Sequence, residues 1–149
     1  MSKDTPAVQK LKKRKTDLCM LSTVIVTDAA GNSNLQNQIF ENFNLLFQDL
    51  DSASQGKILL FFKALVILSY LLKFKDWRNM NSDDQLSFFR KIESFSVGLI
   101  RAGFFGLRSL IFLSYYSTEA SWQRISYQGP LPNITYRSIY KLKSKQAKS

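Results

Sequence analysis

The spacing of apolar positions divides the chain into helical segments. Apolar side chains recur every three or four residues across 35–50, which predicts one stripe of an amphipathic helix. Residues 57–75 are apolar nearly all round, and a shorter apolar segment covers 17–26. Ser117 or Thr118 can cap one short helix over 119–125. With a long segment over 82–116, the pattern predicts an all-α fold, a compact bundle of about five helices.

The segment 57–75 has two interpretations. Its uninterrupted apolar run, residues 64–72, is far shorter than the roughly 20 residues that a membrane-spanning helix needs. We therefore expect a central helix packed on several sides. A basic stretch before the apolar segment 17–26 outlines a secretory signal, but that segment is short and bounded by Asp17 and Asp28, which favours a short helix on the core.

The segment 82–116 begins with a capping-box pattern. The Ser82 hydroxyl can accept a hydrogen bond from the amide of Gln85, whose side chain can reach back to the serine. Glycines predict a kink or break between Ser96 and Gly106. A stripe at steps of three and four predicts the core-facing side as Phe88, Ile92, Phe95, Leu99, Ala102, Gly106, Leu110 and Leu113.

After this helix the chain breaks into an aromatic, turn-rich hook, residues 115–130. Four aromatic side chains crowd thirteen residues that carry few charges: Tyr115, Tyr116, Trp122 and Tyr127. Such a composition is typical of an interface core. It also fits rings that cover the protein's own helical core, and both interpretations remain open.

The net charge of +10 belongs to the two ends of the chain. Residues 1–15 carry six basic side chains and one acidic, residues 137–149 carry five basic and no acidic, and residues 16–136 carry ten of each. This distribution predicts a basic disordered tail over 1–15, a single helical domain over 16–136 and a basic C-terminal tail over 137–149.

The chain offers little catalytic chemistry. It has no histidine, which removes the commonest general acid or base and the commonest metal ligand. Its one cysteine, Cys19, lies in an apolar run and is expected to be a small buried hydrophobe. No phosphate-binding glycine loop is present. We expect no enzymatic activity, no cofactor and no metal.

Two arginines in the apolar segment are candidate contact residues. Arg101 and Arg108 are seven residues apart and lie on nearly the same helix face. Their stems could pack while their charged heads reach water. Alternatively, they pair with an acid such as Glu93, Asp76 or Glu119, or with a partner chain, because an unpaired buried guanidinium is too costly.

The hook also carries a resemblance to a known family. Tyr115-Tyr116-Ser117, Trp122, Ile125, Tyr127 and Gly129-Pro130 are similar to the pattern YYSDPxVWxxIGYxGP. That pattern belongs to small helical subunits and helical N-terminal extensions that accompany FAD-dependent glucose-methanol-choline (GMC) oxidoreductases (the gluconate 2-dehydrogenase subunit 3-like group). The resemblance covers about residues 45–130. Thr118-Glu119 replaces the usual Asp-Pro, and Ser126 replaces the glycine before Tyr127.

The resemblance implies an accessory subunit without a cofactor of its own. It would bind a larger GMC-type flavin oxidoreductase in a hetero-oligomer and stabilise it or help deliver it. The implied partner-binding residues are Arg101, Arg108, Tyr115, Tyr116, Trp122, Tyr127, Gly129 and Pro130. We expect a cytoplasmic location, with membrane association or export alongside the partner as open alternatives.

A second function class rests on the basic tails. Two lysine-rich ends would attract nucleic acid or an anionic membrane surface in a salt-dependent way. The range 16–136 is neutral and shows no basic face with interleaved aromatics, so nucleic acid is the less favoured partner. Peripheral membrane contact through the tails remains an alternative.

Overall fold

The computed structural model describes residues 4–126, and over that range the chain is helical and contains no strand. The all-α prediction is confirmed. The α-helices in this range are α1 (Pro6–Lys12), α2 (Lys15–Ile25), α3 (Ser33–Asp49), α4 (Ser52–Lys73), α5 (Ser82–Glu93), α6 (Gly98–Tyr116) and α7 (Glu119–Arg124). They outnumber the five predicted because α1 forms and because the segment 82–116 divides into two helices.

The chain divides after Thr118 into two compact units. The described part of the first unit holds α1 to α6 and two 3-10 turns, Thr27–Ala29 and Trp77–Asn79. The described part of the second unit holds α7. The division falls inside the range 16–136 that the sequence predicted as one domain. The predicted C-terminal tail lies outside the described residues.

Helix α1 lies within residues 1–15, where basic composition predicted a disordered tail. For residues 6–12 that prediction is wrong. The Thr5 side chain accepts a hydrogen bond from the Val8 amide, and Pro6 suits the first helical turn. Val8 and Leu11 share one face and are buried in the core. Their burial stabilises a helix too short to persist alone.

Helix α3 packs against α6, α2 and α1 and supplies the centre of the core. Ile39, Phe43 and Phe47 follow one another at steps of four, and all three are buried. The rings of Phe43 and Phe47 stack with centroids 6.5 Å apart. Burial of each such side chain contributes about 1.5–3 kcal/mol. The predicted stripe of Leu35, Ile39, Phe43, Leu46 and Leu50 is right for its first three residues, whereas Leu46 and Leu50 are only partly buried.

A chain of aromatic rings joins the 3-10 turn after α4 to α5 and α6. Trp77 meets Phe89 edge-on at 5.6 Å, and Phe89 stacks on Phe104 at 5.4 Å. All three side chains are buried. Aromatic pairs in these arrangements add about 0.5–1.5 kcal/mol to the burial of their surface. The contacts fix α5 against α6.

The start of α5 differs from the predicted capping box. Asn81, one residue earlier, is the N-cap, and its side chain accepts a hydrogen bond from the Asp84 amide at 2.8 Å. Ser82 is the first helical residue. The Gln85 side chain turns inward and donates to the Trp77 carbonyl at 3.0 Å. Asparagine is among the strongest N-cap residues, which explains why it takes the position.

Helix α4 is not packed on several sides, so the prediction of a central helix is wrong. Its buried apolar side chains are Phe62, Leu65 and Leu68. Within the most apolar 18-residue window, 28% of the helix is buried in the structure. It packs against α1, α5, α6 and the 3-10 turn Trp77–Asn79, and the apolar side that carries Leu60, Ile67 and Leu71 is exposed.

The core-facing stripe predicted for 82–116 is right in α5 and wrong in α6. Phe88 and Ile92 are buried, whereas Leu99 is 83% exposed. The helix breaks at residues 94–97, close to the start of the predicted range, and this break changes the helical phase. The residues of α6 that face the core are Phe104, Leu107, Ile111, Ser114 and Tyr115.

Candidate docking surface

The acidic side chains that are buried serve to hold the fold together. Arg78 donates to Asp76 at 2.5 Å and lies 3.5 Å from an oxygen of Asp17, which Arg14 also contacts at 3.1 Å. The hydrogen bonds from Arg78 hold the pKa of Asp76 below its usual value, and the two carboxylates raise the pKa of Arg78. This cluster ties the 3-10 turn to α2.

The single thiol gives no sign of nucleophilic activation. Cys19 is half-buried, and burial raises the pKa of its thiol above the ordinary value. Its sulfur donates a long hydrogen bond to the Gln36 carbonyl at 3.8 Å. Among residues 4–126 no group of three or more histidine, cysteine, aspartate or glutamate side chains is placed to hold a metal.

The two predicted arginines line one shallow pocket of about 420 Å³ at the junction of α5 and α6. Arg108 pairs with Glu93 across this junction and lies over the Phe112 ring, 5.5 Å from its centroid. The alternative that an arginine pairs with Glu93 therefore holds for Arg108. Arg101 is exposed and makes no ion pair with any residue in the described range.

The two tyrosines at the end of α6 have different environments. Tyr115 is buried, and its hydroxyl donates to Asp28 at 2.5 Å. Its ring is therefore part of the core and is not placed to bind a partner. Tyr116 is half exposed and stacks on Phe112, with centroids 6.2 Å apart.

The remaining predicted contact residues lie in the second unit. Trp122 is part of α7 and is partly exposed. Ser126 has a φ of 55°, a left-handed conformation that glycine adopts at less cost. It occupies the position where the family pattern has glycine. Tyr127, Gly129 and Pro130 lie outside the described residues.

The outward side of α6 is mostly apolar. We call it the α6 outer face, and its residues are Leu99, Ala102, Phe105, Gly106, Ser109, Leu113 and Tyr116. Phe105 is 70% exposed, and Leu113 and Tyr116 are each about half exposed. Arg101 lies at its edge. Exposed apolar patches of this extent mark interaction sites on soluble proteins.

A second apolar surface covers the outward side of α4. We call it the α4 outer face, and its residues are Leu60, Lys63, Ile67, Tyr70, Leu71 and Phe74. Leu71 is 68% exposed and Phe74 is 90% exposed. The sequence contained a signal for this surface, because a helix apolar all round needs neighbours on every side, and the remaining segments are too few to supply them.

The two helices cross where Phe61 of α4 meets Gly103 of α6. A Cβ atom on Gly103 would lie 2.7 Å from Cδ2 of Phe61, closer than real contacts allow. The glycine thus permits a close approach of the two helices. Leu60 and Ala64 flank Phe61, and Gly106 lies one turn beyond Gly103, so the two outer faces border the same crossing.

Comparison with known proteins adds no relative: no family model, no curated protein and no solved structure matches the chain.

Proposed function

We propose that this protein is a non-catalytic accessory subunit that docks on a larger protein through the α6 outer face. The observation that carries the proposal is the exposure of this face, where Leu99, Phe105 and Leu113 are left in water by the fold. Each exposed side chain of this size gains about 1.5–3 kcal/mol when it is buried, so the face favours association.

The composition of the face suits a folded protein partner. Ala102, Gly106 and Ser109 are small and lie one turn apart, which lets a partner backbone approach α6 closely. Phe105 and Tyr116 offer rigid aromatic anchors of the kind that dominate binding energies. Arg101, exposed beside them, supplies a cation for an acidic group on the partner.

The partner class comes from the resemblance of residues 45–130. It points to a larger FAD-dependent oxidoreductase of the GMC type, bound in a hetero-oligomer. In this role the chain needs no cofactor, which agrees with its lack of histidine and its internally paired buried carboxylates. The accessory chain would cover an apolar surface of the flavoprotein that is otherwise exposed.

The experiment compares two leucine-to-aspartate variants of the tagged full-length chain, purified from its native cells. Leu113→Asp places a charge on the α6 outer face, and Leu45→Asp makes the same change on α3, where the leucine is 62% exposed. Wild type and Leu45→Asp should recover a stoichiometric partner with a flavin absorption spectrum. Leu113→Asp should lose about tenfold or more in affinity, because a charge is buried at the contact.

Two results would overturn the proposal. One is a wild-type chain that elutes alone at its native expression level. The other is a flavoprotein that both variants retain equally, since binding would then not depend on α6. Circular dichroism of each variant confirms that a lost interaction does not come from unfolding.

A further inference from the structure

The α4 outer face is a regular stripe on a long helix. Leu60, Ile67, Leu71 and Phe74 follow one another at steps of seven, four and three, which keeps them on one side. The helix runs 22 residues, and its most apolar window has a mean hydropathy of 1.6. Its length and composition would suffice to cross a membrane, and no other helix in the described range meets both conditions.

The other side of α4 belongs to the protein core. Phe62 and Leu65 are buried among the neighbouring helices. At its start, Gln55 is buried and donates to the carbonyls of Phe47 and Leu50 at 2.9 and 3.1 Å. A helix held in this way presents one side to an apolar phase and keeps the other in the fold. Such a helix lies along a membrane surface instead of crossing it.

The charged side chains of α4 and the two residues after it have one sign. Residues 52–75 carry Lys57, Lys63, Lys73 and Lys75 and no acidic side chain. Lys63 is exposed within the stripe, one turn from both Leu60 and Ile67, where its apolar stem can lie flat while the ammonium group reaches outward. Lys57 and Lys75 are also exposed, whereas Lys73 is partly buried and donates to the Ser87 hydroxyl at 3.3 Å. An apolar stripe with exposed lysines within and beside it complements anionic lipid headgroups above an apolar interior.

Phe74 has a backbone conformation that is unfavourable for a residue with a side chain. It ends α4 with a φ of 55°, in the left-handed conformation, and its ring is 90% exposed. Glycine is the usual residue at such a helix end, because a side chain there costs roughly 1–2 kcal/mol. The ring extends the apolar stripe beyond the helix, where it can insert between headgroups.

We propose that the α4 outer face binds an anionic membrane surface, with α4 lying parallel to the bilayer. The aliphatic side chains and Phe74 enter the boundary of the acyl chains, and the exposed lysines Lys57, Lys63 and Lys75 contact lipid phosphates. This proposal is independent of the docking of a flavoprotein, because it uses α4 where the partner uses α6. The two surfaces border each other, so a partner bound on α6 would be held against the membrane.

The test uses the purified full-length chain and phosphatidylcholine vesicles, with or without about a third of phosphatidylglycerol. Wild type should co-sediment with the anionic vesicles and much less with the neutral ones. Ile67→Asp should weaken partitioning about tenfold or more, because it removes an aliphatic side chain that the bilayer would bury and adds a charge that anionic headgroups repel. Leu45→Asp, the same kind of change on α3, should bind like wild type.

Two further variants separate this proposal from its alternatives. Phe74→Gly should bind vesicles less well while its melting temperature does not fall, so its loss cannot be ascribed to unfolding. Replacement of Lys141, Lys143 and Lys145 by glutamine tests the C-terminal lysines, and the anionic binding should persist. The proposal is overturned if that replacement abolishes binding while Ile67→Asp leaves it unchanged. It also fails if the wild-type chain does not bind anionic vesicles. It fails as well if alkaline carbonate cannot release the bound chain, since a helix that lies on the surface should be released.

Discussion

Tyr115 and Tyr116 are adjacent and chemically identical, yet one is buried against Asp28 and the other is half exposed. The sequence singled out both tyrosines as contact residues and could not show which one packs in the core and which one is exposed. The reason is that Asp28 is 87 positions away in the chain, and only the packed fold brings it to the Tyr115 hydroxyl.

By contrast, the family pattern has glycine at position 126, and the left-handed φ of Ser126 shows why glycine suits it.

Asp76 makes stability depend on pH at the residue scale. Because its pKa is lower in the folded chain than in the unfolded chain, its contribution is present above about pH 4 and is lost as pH falls through the folded pKa. We expect the free energy of unfolding, measured in urea, to decline between about pH 5 and pH 2. Asp76→Asn, which keeps the oxygen that caps the turn, should show a shallower decline.

Arg78→Met provides the matched control for this pH dependence. It removes the guanidinium that lowers the Asp76 pKa, so it should also flatten the decline. If both variants lost unfolding free energy with falling pH as steeply as the wild type, the Asp76–Arg78 pair would not be the source of the pH dependence.

At the scale of elements, local signals located the helices and missed their orientations. The apolar periodicity of α3 was readable, because it depends on residues within one or two turns. The sequence did not show which side of α6 faces the core. The break at residues 94–97 shifts the helical phase, and most later positions of the extrapolated stripe then face outward, as Leu99 and Leu113 do, while Leu110 packs partly against the core.

The crossing of α4 and α6 gives a prediction about two glycines. Gly103→Ala places a methyl group against the Phe61 ring, and we expect a loss of about 1–3 kcal/mol in unfolding free energy from overpacking. Gly106→Ala meets no atom within 4 Å and should stabilise the helix by up to about 1 kcal/mol.

Urea denaturation of both variants measures the difference. The double variant Phe61→Leu with Gly103→Ala should recover part of the loss, because leucine leaves room for the methyl group. If the two single variants proved equally stable, the close approach at Gly103 would be refuted.

At the scale of the whole molecule, the distribution of charge predicted a neutral domain with basic ends, and the spacing of apolar positions predicted the all-α class. What composition could not show is that the fold leaves two apolar faces uncovered. The number of apolar residues does not say which of them the core buries. In the described part of the first unit, the other helices do not cover the outward sides of α4 and α6. The function proposed here depends on that surplus of apolar surface.

The most direct measurement places a benzophenone amino acid at position 113 or position 45 of the full-length chain in its native cells, followed by illumination and mass spectrometry. Both positions are exposed leucines, one on the α6 outer face and one on α3. The account predicts that position 113 crosslinks to one larger FAD-dependent oxidoreductase and that position 45 does not. Crosslinking of the same protein from both positions, or no flavoprotein from position 113, would contradict it.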